Sequence, residues 1–245
     1  MTSSHASLLE IDYNLHKSNS TYFADLDASR CHLVMYLCRS GMAAVSANAK
    51  TKLVVDPRTG MPATGKPNIA LGAAHTSFRR EIAPYARYEM WSRVLAWDRK
   101  WLYIVTHFVP AGTVKPTEWL DPRFGLRGVR KGQGAGVKSG GETDWESKVL
   151  ASSVSKYVFK LGRLTIRPDV VLGASGLLPE RPGGWAQEET AIGLGESATH
   201  EGQEWDWQRV EARRRHGMIM AANFHALDGL SAFFDGGDDG ALGMF

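Results

Sequence analysis

The fold of this chain is indicated most clearly by residues 9–30, which read LEIDYNLHKSNSTYFADLDASR. A short apolar run, Leu8–Asp12, predicts a first strand and ends in a carboxylate. A turn rich in amide, hydroxyl and imidazole groups follows it. From Thr21 onward apolar residues recur at helical spacing, which predicts a long helix that ends near Gly41. The stretch therefore predicts a strand, a polar turn and a long helix in immediate succession.

Three segments after this helix have the composition of β-strands, namely residues 69–82, 87–97 and 101–109. They are rich in Tyr, Trp, Val, Ile and Thr, and a tight turn joins the last two. Residues 153–167 predict a further strand pair, with Gly162 as a bulge. Successive strands joined by short turns form an antiparallel sheet, and a long helix must bury its apolar stripe against that sheet. The sequence thus predicts an α+β layer arrangement.

The C-terminal third predicts an irregular segment followed by one more helix. Residues 173–200 are rich in Gly, Pro and Glu, and residues 202–234 carry an apolar stripe that Gly217 interrupts. We expect this helix to pack on the domain, while a docking helix for a partner is the alternative interpretation. The predicted organisation is one domain over residues 1–175 and an extension over residues 176–245.

Composition and charge argue against several classes of protein. Of the 245 residues, 43% are hydrophobic and 22% are charged, which is ordinary for a globular protein. A net charge of +3, spread along the chain, does not indicate a nucleic-acid partner. No apolar run approaches the roughly 20 residues of a membrane span, and no signal peptide is visible. We therefore expect a cytoplasmic protein that has no membrane span and binds no nucleic acid.

The cysteines and glycines do not indicate a disulfide, a metal or a nucleotide. Cys31 and Cys38 lie two helical turns apart, roughly 10 Å along the axis, which is too far for a disulfide. No His, Cys or carboxylate spacing is typical of a metal site. The glycines within residues 110–148 predict a long loop that matches neither the phosphate-binding loop nor the dinucleotide fingerprint. We therefore expect no metal and no cofactor.

Three polar side chains in the turn can converge on one point. In an extended backbone Asp12, Asn14 and His16 point to the same side. The predicted helix begins just beyond them, and its N-terminus presents unpaired N–H groups. Asn19, Ser20 and Thr21 are candidate caps, of which Asn19 is preferred. A carboxylate placed there can attack a carbonyl or activate a water beside donors for the developing oxyanion. A hydrogen-bonded turn with a helix cap is the alternative interpretation.

This pattern resembles that of the hotdog-fold thioesterases. The residues that carry the resemblance are Asp12–Phe23, Ala28-Ser29-Arg30, and the paired strand segments from Thr76 to Val109. The chain is similar in particular to the fungal thioesterase-like group related to mammalian thioesterase superfamily member 6. The Asp-x-Asn-x-His run also resembles the catalytic run of plant acyl-carrier-protein thioesterases. The resemblance implies a single hotdog domain, which is an antiparallel sheet wrapped around a long central helix, with a C-terminal helical extension.

The resemblance also implies an acyl-thioesterase that acts on acyl-CoA or acyl-carrier-protein thioesters. Asp12 would be the nucleophile or general base with Asn14 and His16 as its partners, while Asn19 and Tyr22 would contact the substrate. A chain with one hotdog unit needs a second copy to build the usual interface, which implies a homodimer or a larger homo-oligomer. Two other functions stay open: release or cyclisation of a polyketide-type intermediate, and non-catalytic acyl binding.

Overall fold

The computed structural model describes residues 1–114, 144–185 and 206–233. Six strands, five helices and three short 3-10 segments lie in these ranges. In chain order they are β1 (Thr2–His5), a 3-10 turn (Leu8–Glu10), α1 (Thr21–Leu37), α2 (Arg39–Ser46), α3 (Asn48–Thr51), β2 (Pro67–Phe78), β3 (Arg87–Trp97), β4 (Trp101–Pro110), a 3-10 turn (Glu146–Lys148), β5 (Ala151–Leu161), β6 (Leu164–Ile166), α4 (Pro168–Ala174), α5 (Trp207–Ala226) and a 3-10 segment (Leu227–Phe233).

The strands form one antiparallel sheet in the order β1-β3-β4-β5-β2, and β6 pairs with β5. The edges of this order are therefore β1, which has four residues, and β2, which has twelve. The predicted α+β class and the hotdog arrangement, in which an antiparallel sheet curls around a long helix, are confirmed. No helix among the described residues is long and apolar enough to cross a membrane.

Helix α1 packs across one face of the sheet and contributes to two apolar clusters there. Near its start, Tyr22 and Leu26 pack in a cluster with Phe108 of β4. Near its end, Leu33 belongs to a larger cluster that contains Ile104 of the same strand. Because side chains alternate along a strand, Phe108 and Ile104 lie on the same face of β4. The helix therefore runs along the sheet from one apolar cluster to the other.

A row of hydroxyl groups crosses four strands between these clusters. Ser92, Thr106, Ser153 and Thr76 are register neighbours on β3, β4, β5 and β2. Ser29 of α1 hydrogen-bonds to Ser92 at 2.8 Å, Ser92 to Thr106 at 2.7 Å, and Thr76 donates to Ser153 at 3.1 Å. Each hydroxyl thus has a partner in the interior, as a buried polar group requires. Sliding α1 or a strand by one residue would break these pairs.

Arg30 lies beside this row and is only 1% exposed. Its Nε donates to the carbonyl of Leu26 at 2.9 Å, and its terminal nitrogens donate to Ser155 and Asp27. The guanidinium also lies 5.8 Å from the centre of the Tyr157 ring. A buried guanidinium is tolerated because its donors are satisfied. The arginine of the Ala-x-Arg motif therefore anchors α1 to the sheet.

The opposite face of the sheet receives α5. Ala221 and Phe224 of α5 pack with Ala96 and Tyr103, next to the hairpin that joins β3 and β4. The prediction that a C-terminal helix packs on the domain is confirmed. Gly217, which interrupts the apolar stripe in the sequence, lies within α5, and the helix is continuous through this residue. The division into domains at residue 175 stays a prediction.

The first strand is not where the sequence predicted it. Residues Leu8–Glu10 form a 3-10 turn, and the chain enters the sheet earlier, through Thr2–His5 paired with β3. The apolar run that suggested a strand is largely exposed, with Leu9 99% accessible. The tertiary pairing of β1 with β3 therefore outweighed the local apolar pattern.

Two glycines also have other roles than predicted. The long helix ends at Leu37, and Gly41 lies inside α2, where a β-carbon would approach the carbonyl oxygen of Val171 to 2.2 Å. Gly41 therefore allows α2 to contact α4 closely. Gly162 forms the turn between β5 and β6 with φ of +58°, so it is not a bulge. Pro168 follows the predicted strand pair and begins α4, a helix that the sequence did not predict and that ends at Ala174, inside the stretch predicted to be irregular.

Parts of three predicted segments lie outside the described residues. Residues 115–143 belong to the predicted loop over 110–148. Residues 186–205 cover the end of the predicted irregular segment and the first residues of the predicted final helix. Residues 234–245 end the chain.

Gly217 provides a test of how α5 docks. A β-carbon at this position would lie 2.2 Å from the carbonyl oxygen of Leu95. We expect Gly217→Ala to lower the free energy of unfolding by about 1–3 kcal/mol, because α5 must shift away from β3. Gly173→Ala is the matched control, since nothing lies within 4 Å of its β-carbon position in α4, and it should raise stability by roughly 0.5–1 kcal/mol. Chemical denaturation measures both, and equal effects would contradict the close packing.

Candidate active site

Residues 12–16 form a tight turn, as the polar composition predicted, and not the extended backbone that would align Asp12, Asn14 and His16 on one side. An isolated bridge pairs Ile11 with Lys17, and the N–H of Asp12 donates to the carbonyl of His16 at 3.0 Å. Leu15 lies in the left-handed region with φ of +64°. The Oδ1 atom of Asp12 accepts the backbone N–H of Asn14 at 2.9 Å. The side chains of these residues therefore do not align along one strand face.

An open cleft of about 220 Å³ lies beside this turn. One wall comes from the turn and the start of α1, and the other from the residues that end and follow β2. Its lining residues are His16, Lys17, Asn19, Tyr22, Phe78, Arg79, Arg80 and Glu81. The cleft thus brings together three of the residues singled out from the sequence, which are His16, Asn19 and Tyr22. Asp12 lies behind His16, and Asn14 is exposed on the turn.

His16 lies between two carboxylates. Its Nδ1 is 3.7 Å from Oδ1 of Asp12, and its Nε2 is 3.6 Å from Oε1 of Glu81. Both distances exceed that of a hydrogen bond but allow electrostatic attraction. The side chains of Asp12 and His16 are 22% and 19% exposed, so water and a small substrate can reach them. An imidazole between two carboxylates can hold or move a proton at the cleft wall.

The start of α1 differs from the predicted cap. Ser20 occupies the N-cap position without a side-chain cap, so the capping role predicted for Asn19 is wrong. The N–H groups of Thr21 and Phe23 donate to the carbonyls of Ser18 and Ser20, at 3.0 and 3.3 Å. Two of the first helical donors are therefore engaged locally. Asn19 itself lines the cleft.

A buried cluster of charges lies under the cleft. The ammonium of Lys17 is 2.9 Å from Glu10 and 2.9 Å from Asp25, and Tyr88 donates to the same Asp25 oxygen at 2.6 Å. Burial alone would lower the pKa of Lys17, but the hydrogen bonds to Glu10 and Asp25 raise it above its usual value. Burial raises the pKa of Tyr22 and of Tyr88 to about 12. Near neutral pH the cluster therefore holds one cation and two neutral phenols.

The second wall of the cleft was not recognised from the sequence as part of a site. Phe78 packs edge to face against Tyr22, with ring centres 5.0 Å apart. Arg79, Arg80 and Glu81 follow and form an exposed rim, where Arg79 pairs with Glu146 at 2.6 Å. The abrupt change from an uncharged strand to Arg-Arg-Glu was the available signal. The cleft therefore combines an apolar floor with a charged rim.

The described residues contain no group of three His, Cys, Asp or Glu side chains that could hold a metal ion. Cys31 and Cys38 are both free thiols, the first exposed and the second buried.

Comparison with known proteins places these features in a family. Residues 7–134 match the model of the thioesterase-like superfamily. The chain is similar to the probable thioesterase atnL of Emericella nidulans, with 35% identity over 97% of this chain and 71% of that protein. It is 37% identical to the thioesterase poxG of Penicillium oxalicum over 96% of this chain and 69% of that protein. The solved structure of a 1,4-dihydroxy-2-naphthoyl-CoA thioesterase from Synechocystis is 7% identical in sequence to this chain. The match covers 71% of this chain and 92% of that one, with a TM-score of 0.42.

The turn allows the structural and chemical roles of Asp12 to be separated. Asp12→Asn keeps an oxygen that accepts the N–H of Asn14, so its free energy of unfolding should stay within about 0.5 kcal/mol of the parent. Asp12→Ala loses this acceptor and should cost about 1 kcal/mol. Urea denaturation followed by circular dichroism measures both values. Loss of the folded state in Asp12→Ala would instead show that the turn is essential for folding.

Proposed function

Because the chain belongs to the thioesterase-like superfamily and is a thioester hydrolase, we propose that it hydrolyses acyl-CoA or acyl-carrier-protein thioesters in the cleft beside Asp12 and His16. The observation that carries the proposal is the meeting of His16, Asn19 and Tyr22 on one cleft wall, opposite Arg79 and Arg80. A cytoplasmic location belongs to the same proposal.

The cleft has the polarity that such a substrate requires. The rings of Tyr22 and Phe78 offer apolar surface for the acyl group. Arg79 and Arg80 lie at the rim, where a guanidinium can bind a phosphate with two hydrogen bonds. CoA and the pantetheine arm of a carrier protein both carry phosphate. We therefore place the acyl group against the rings and the phosphate toward the arginines.

Asp12 is the proposed nucleophile or general base. Its Oδ1 is held by the N–H of Asn14, while Oδ2 accepts no hydrogen bond from the described residues. As a base, Asp12 would take a proton from a water, whose oxygen then attacks the thioester carbon. As a nucleophile, it would form an anhydride that water opens in a second step. On either route the carbon–sulfur bond breaks, and the thiolate takes up the proton released by the water.

The neighbours of Asp12 have supporting roles in this proposal. His16, 3.7 Å from Asp12, would orient the carboxylate or the water and carry the proton to the leaving thiolate. Asn14 would act through its backbone N–H, which holds the carboxylate in place. The side-chain amide of Asn19, next to the start of α1, would donate to the oxyanion, a contribution of roughly 3 kcal/mol for a well-placed donor.

A panel of acyl-CoA thioesters tests the proposed function. Short, long and aromatic acyl groups should be offered, with free thiol and free acid both measured. Asp12→Asn, which keeps the turn, should lower kcat by about 100-fold or more because the base or nucleophile is lost. Asp56→Asn is the matched control, since Asp56 accepts the N–H of Arg58 at 2.9 Å in a similar exposed turn away from the cleft. Its kcat should equal that of the parent.

Other outcomes of this assay would indicate a different product, mechanism or function. Thiol release without free acid would indicate a cyclised or transferred acyl product. Full activity in Asp12→Asn would remove Asp12 from the mechanism. If the parent releases no thiol from any acyl-CoA or acyl-carrier substrate, the hydrolase proposal is wrong for this chain and acyl binding becomes the function to measure.

A homodimer formed through β2 is part of the proposal. Strand β2 is a twelve-residue edge without Asp, Glu, Lys or Arg, and its one proline, Pro67, is its first residue. Leu71 within the strand is 44% exposed. Long exposed edges of this kind pair readily with another chain, and proteins that avoid such pairing place charges or proline along them. Phe78 ends β2 and lines the cleft, so a second copy that pairs with this edge would lie close to the cleft.

Leu71→Lys tests the edge. The added charge should oppose pairing of two β2 strands and shift the protein toward monomer. Met35→Lys is the control, because Met35 is also apolar and is 62% exposed, but on α1. Light scattering coupled to size-exclusion chromatography measures the mass of each. A parent that is monomeric at all concentrations, or a dimer that Leu71→Lys leaves intact, would contradict the β2 interface.

A further inference from the structure

We propose that Lys17 is a positioning residue for this reaction, and that its buried ammonium holds the turn bearing Asp12 and His16 in its working geometry. The proposal rests on the proposed function and adds to it a residue that does not bind substrate. Lys17 is adjacent to His16 in the chain, is 1% exposed and lies beneath the cleft.

Lys17 contacts several of the segments that surround the site. Its Nζ is 2.9 Å from Glu10, just before the turn, and 2.9 Å from Asp25, one helical turn into α1. It also lies 5.4 Å from the ring centre of Tyr88 on β3. Its backbone N–H donates to the carbonyl of Ile82 at 2.8 Å, in the segment after β2. One side chain thus ties the turn to α1 and β3, and its backbone ties it to the second cleft wall.

The backbone of Lys17 also contacts the candidate catalytic histidine. Its carbonyl oxygen lies 3.4 Å from Nδ1 of His16. The group beside one ring nitrogen determines which tautomer a histidine adopts and which nitrogen can accept a proton. A shift of Lys17 would therefore move this carbonyl and change the placement of His16. Misplacement of reacting groups by about 1 Å can cost roughly 100-fold in rate.

Stability alone does not account for a cation at this position. Buried ion pairs are often no more stabilising than apolar side chains of similar volume, because both charges lose their hydration. The pocket around Lys17 includes the rings of Tyr22 and Tyr88, at 5.5 and 5.4 Å, which would accommodate a methionine. Directional contacts to two carboxylates instead restrict the turn to one conformation. This is the property that a catalytic geometry needs.

The chain offers a matched control in Lys156. This lysine is 2% exposed, pairs with the carboxylate of Asp228, and lies 4.8 and 5.5 Å from the ring centres of Trp101 and Phe224. It lies on the sheet face that receives α5, opposite α1. Both lysines are buried, ion-paired and enclosed by two aromatic rings. Only Lys17 is next to the cleft.

The experiment compares Lys17→Met, Lys156→Met and the double variant Lys17→Met/Asp25→Asn in the full chain. Unfolding free energies, kcat, KM and the pH dependence of kcat are measured for each on the best acyl thioester. Lys17→Met should lower kcat by about 10- to 100-fold with KM within about twofold, whereas Lys156→Met should keep the parent kcat. Their losses of stability should be similar.

The pH dependence separates charge from position. Lys17→Met removes a positive charge from beneath the cleft, and a nearby positive charge favours the deprotonated form of an acid, so the acidic limb of the kcat profile should move to higher pH. The double variant also replaces the carboxylate of Asp25 with a neutral amide, so the formal charge of the cluster is the same as in the parent. Its acidic limb should return toward the parent value, while kcat stays low because the contacts remain absent.

Three results would overturn the proposal. A parental kcat in folded Lys17→Met would show that the ammonium positions nothing. Equal losses of kcat in Lys17→Met and Lys156→Met would assign both effects to general stability. If neither Lys17 variant folds while Lys156→Met does, Lys17 is a structural residue. Failure of the proposed function is recognised separately, since the parent itself would then release no thiol.

Discussion

The burial of α1 against the sheet is the constraint on which the rest of the structure depends. This helix carries Ser29 and Arg30 at its centre, so it can be buried only if the sheet offers polar partners at the same level. The hydroxyl row on four strands and Ser155 supply them. Apolar packing above and below provides the driving force, while the polar row determines the register. The helix therefore has one satisfactory position on the sheet.

That position creates the cleft. With α1 held in register, its first turn lies against the end of β2, where Tyr22 contacts Phe78. The turn before α1 is then confined between the helix and the segment after β2, and the Lys17 cluster fills the space below it. His16 reaches the cleft because its neighbours are anchored on both sides. The candidate site is thus a consequence of helix packing and not of the turn sequence alone.

The two faces and two edges of the sheet have different roles. One face is covered by α1, and α5 covers part of the other, with Gly217 allowing close backbone contact. The short β1 edge contrasts with the long, uncharged β2 edge that leads into the cleft. Helices α1 and α5 therefore lie on opposite faces of the sheet, and the β2 edge ends at the cleft.

Much of the fold was predictable from the sequence because its signals are local. Strand composition located β3 and β4, helical periodicity located α1, and the run from Asp12 to Arg30 indicated the family. The same run contained His16, Asn19 and Tyr22, which line the cleft. These features follow from side-chain spacing within one element, which the linear sequence contains directly.

Only the tertiary structure decided the rest. The entry of the chain through Thr2–His5, the turn at Asp12 and the role of Gly41 depend on partners far away in the sequence. The second cleft wall at Arg79 and Arg80 becomes part of a site only when β2 ends beside α1. Lys17 has an ordinary sequence context, and its contacts with Asp25 and Tyr88 exist only after folding. The sequence alone therefore determined the long helix, the main strands and the family, whereas packing decided which side chains meet, because burial and long-range pairing act between elements and not within them.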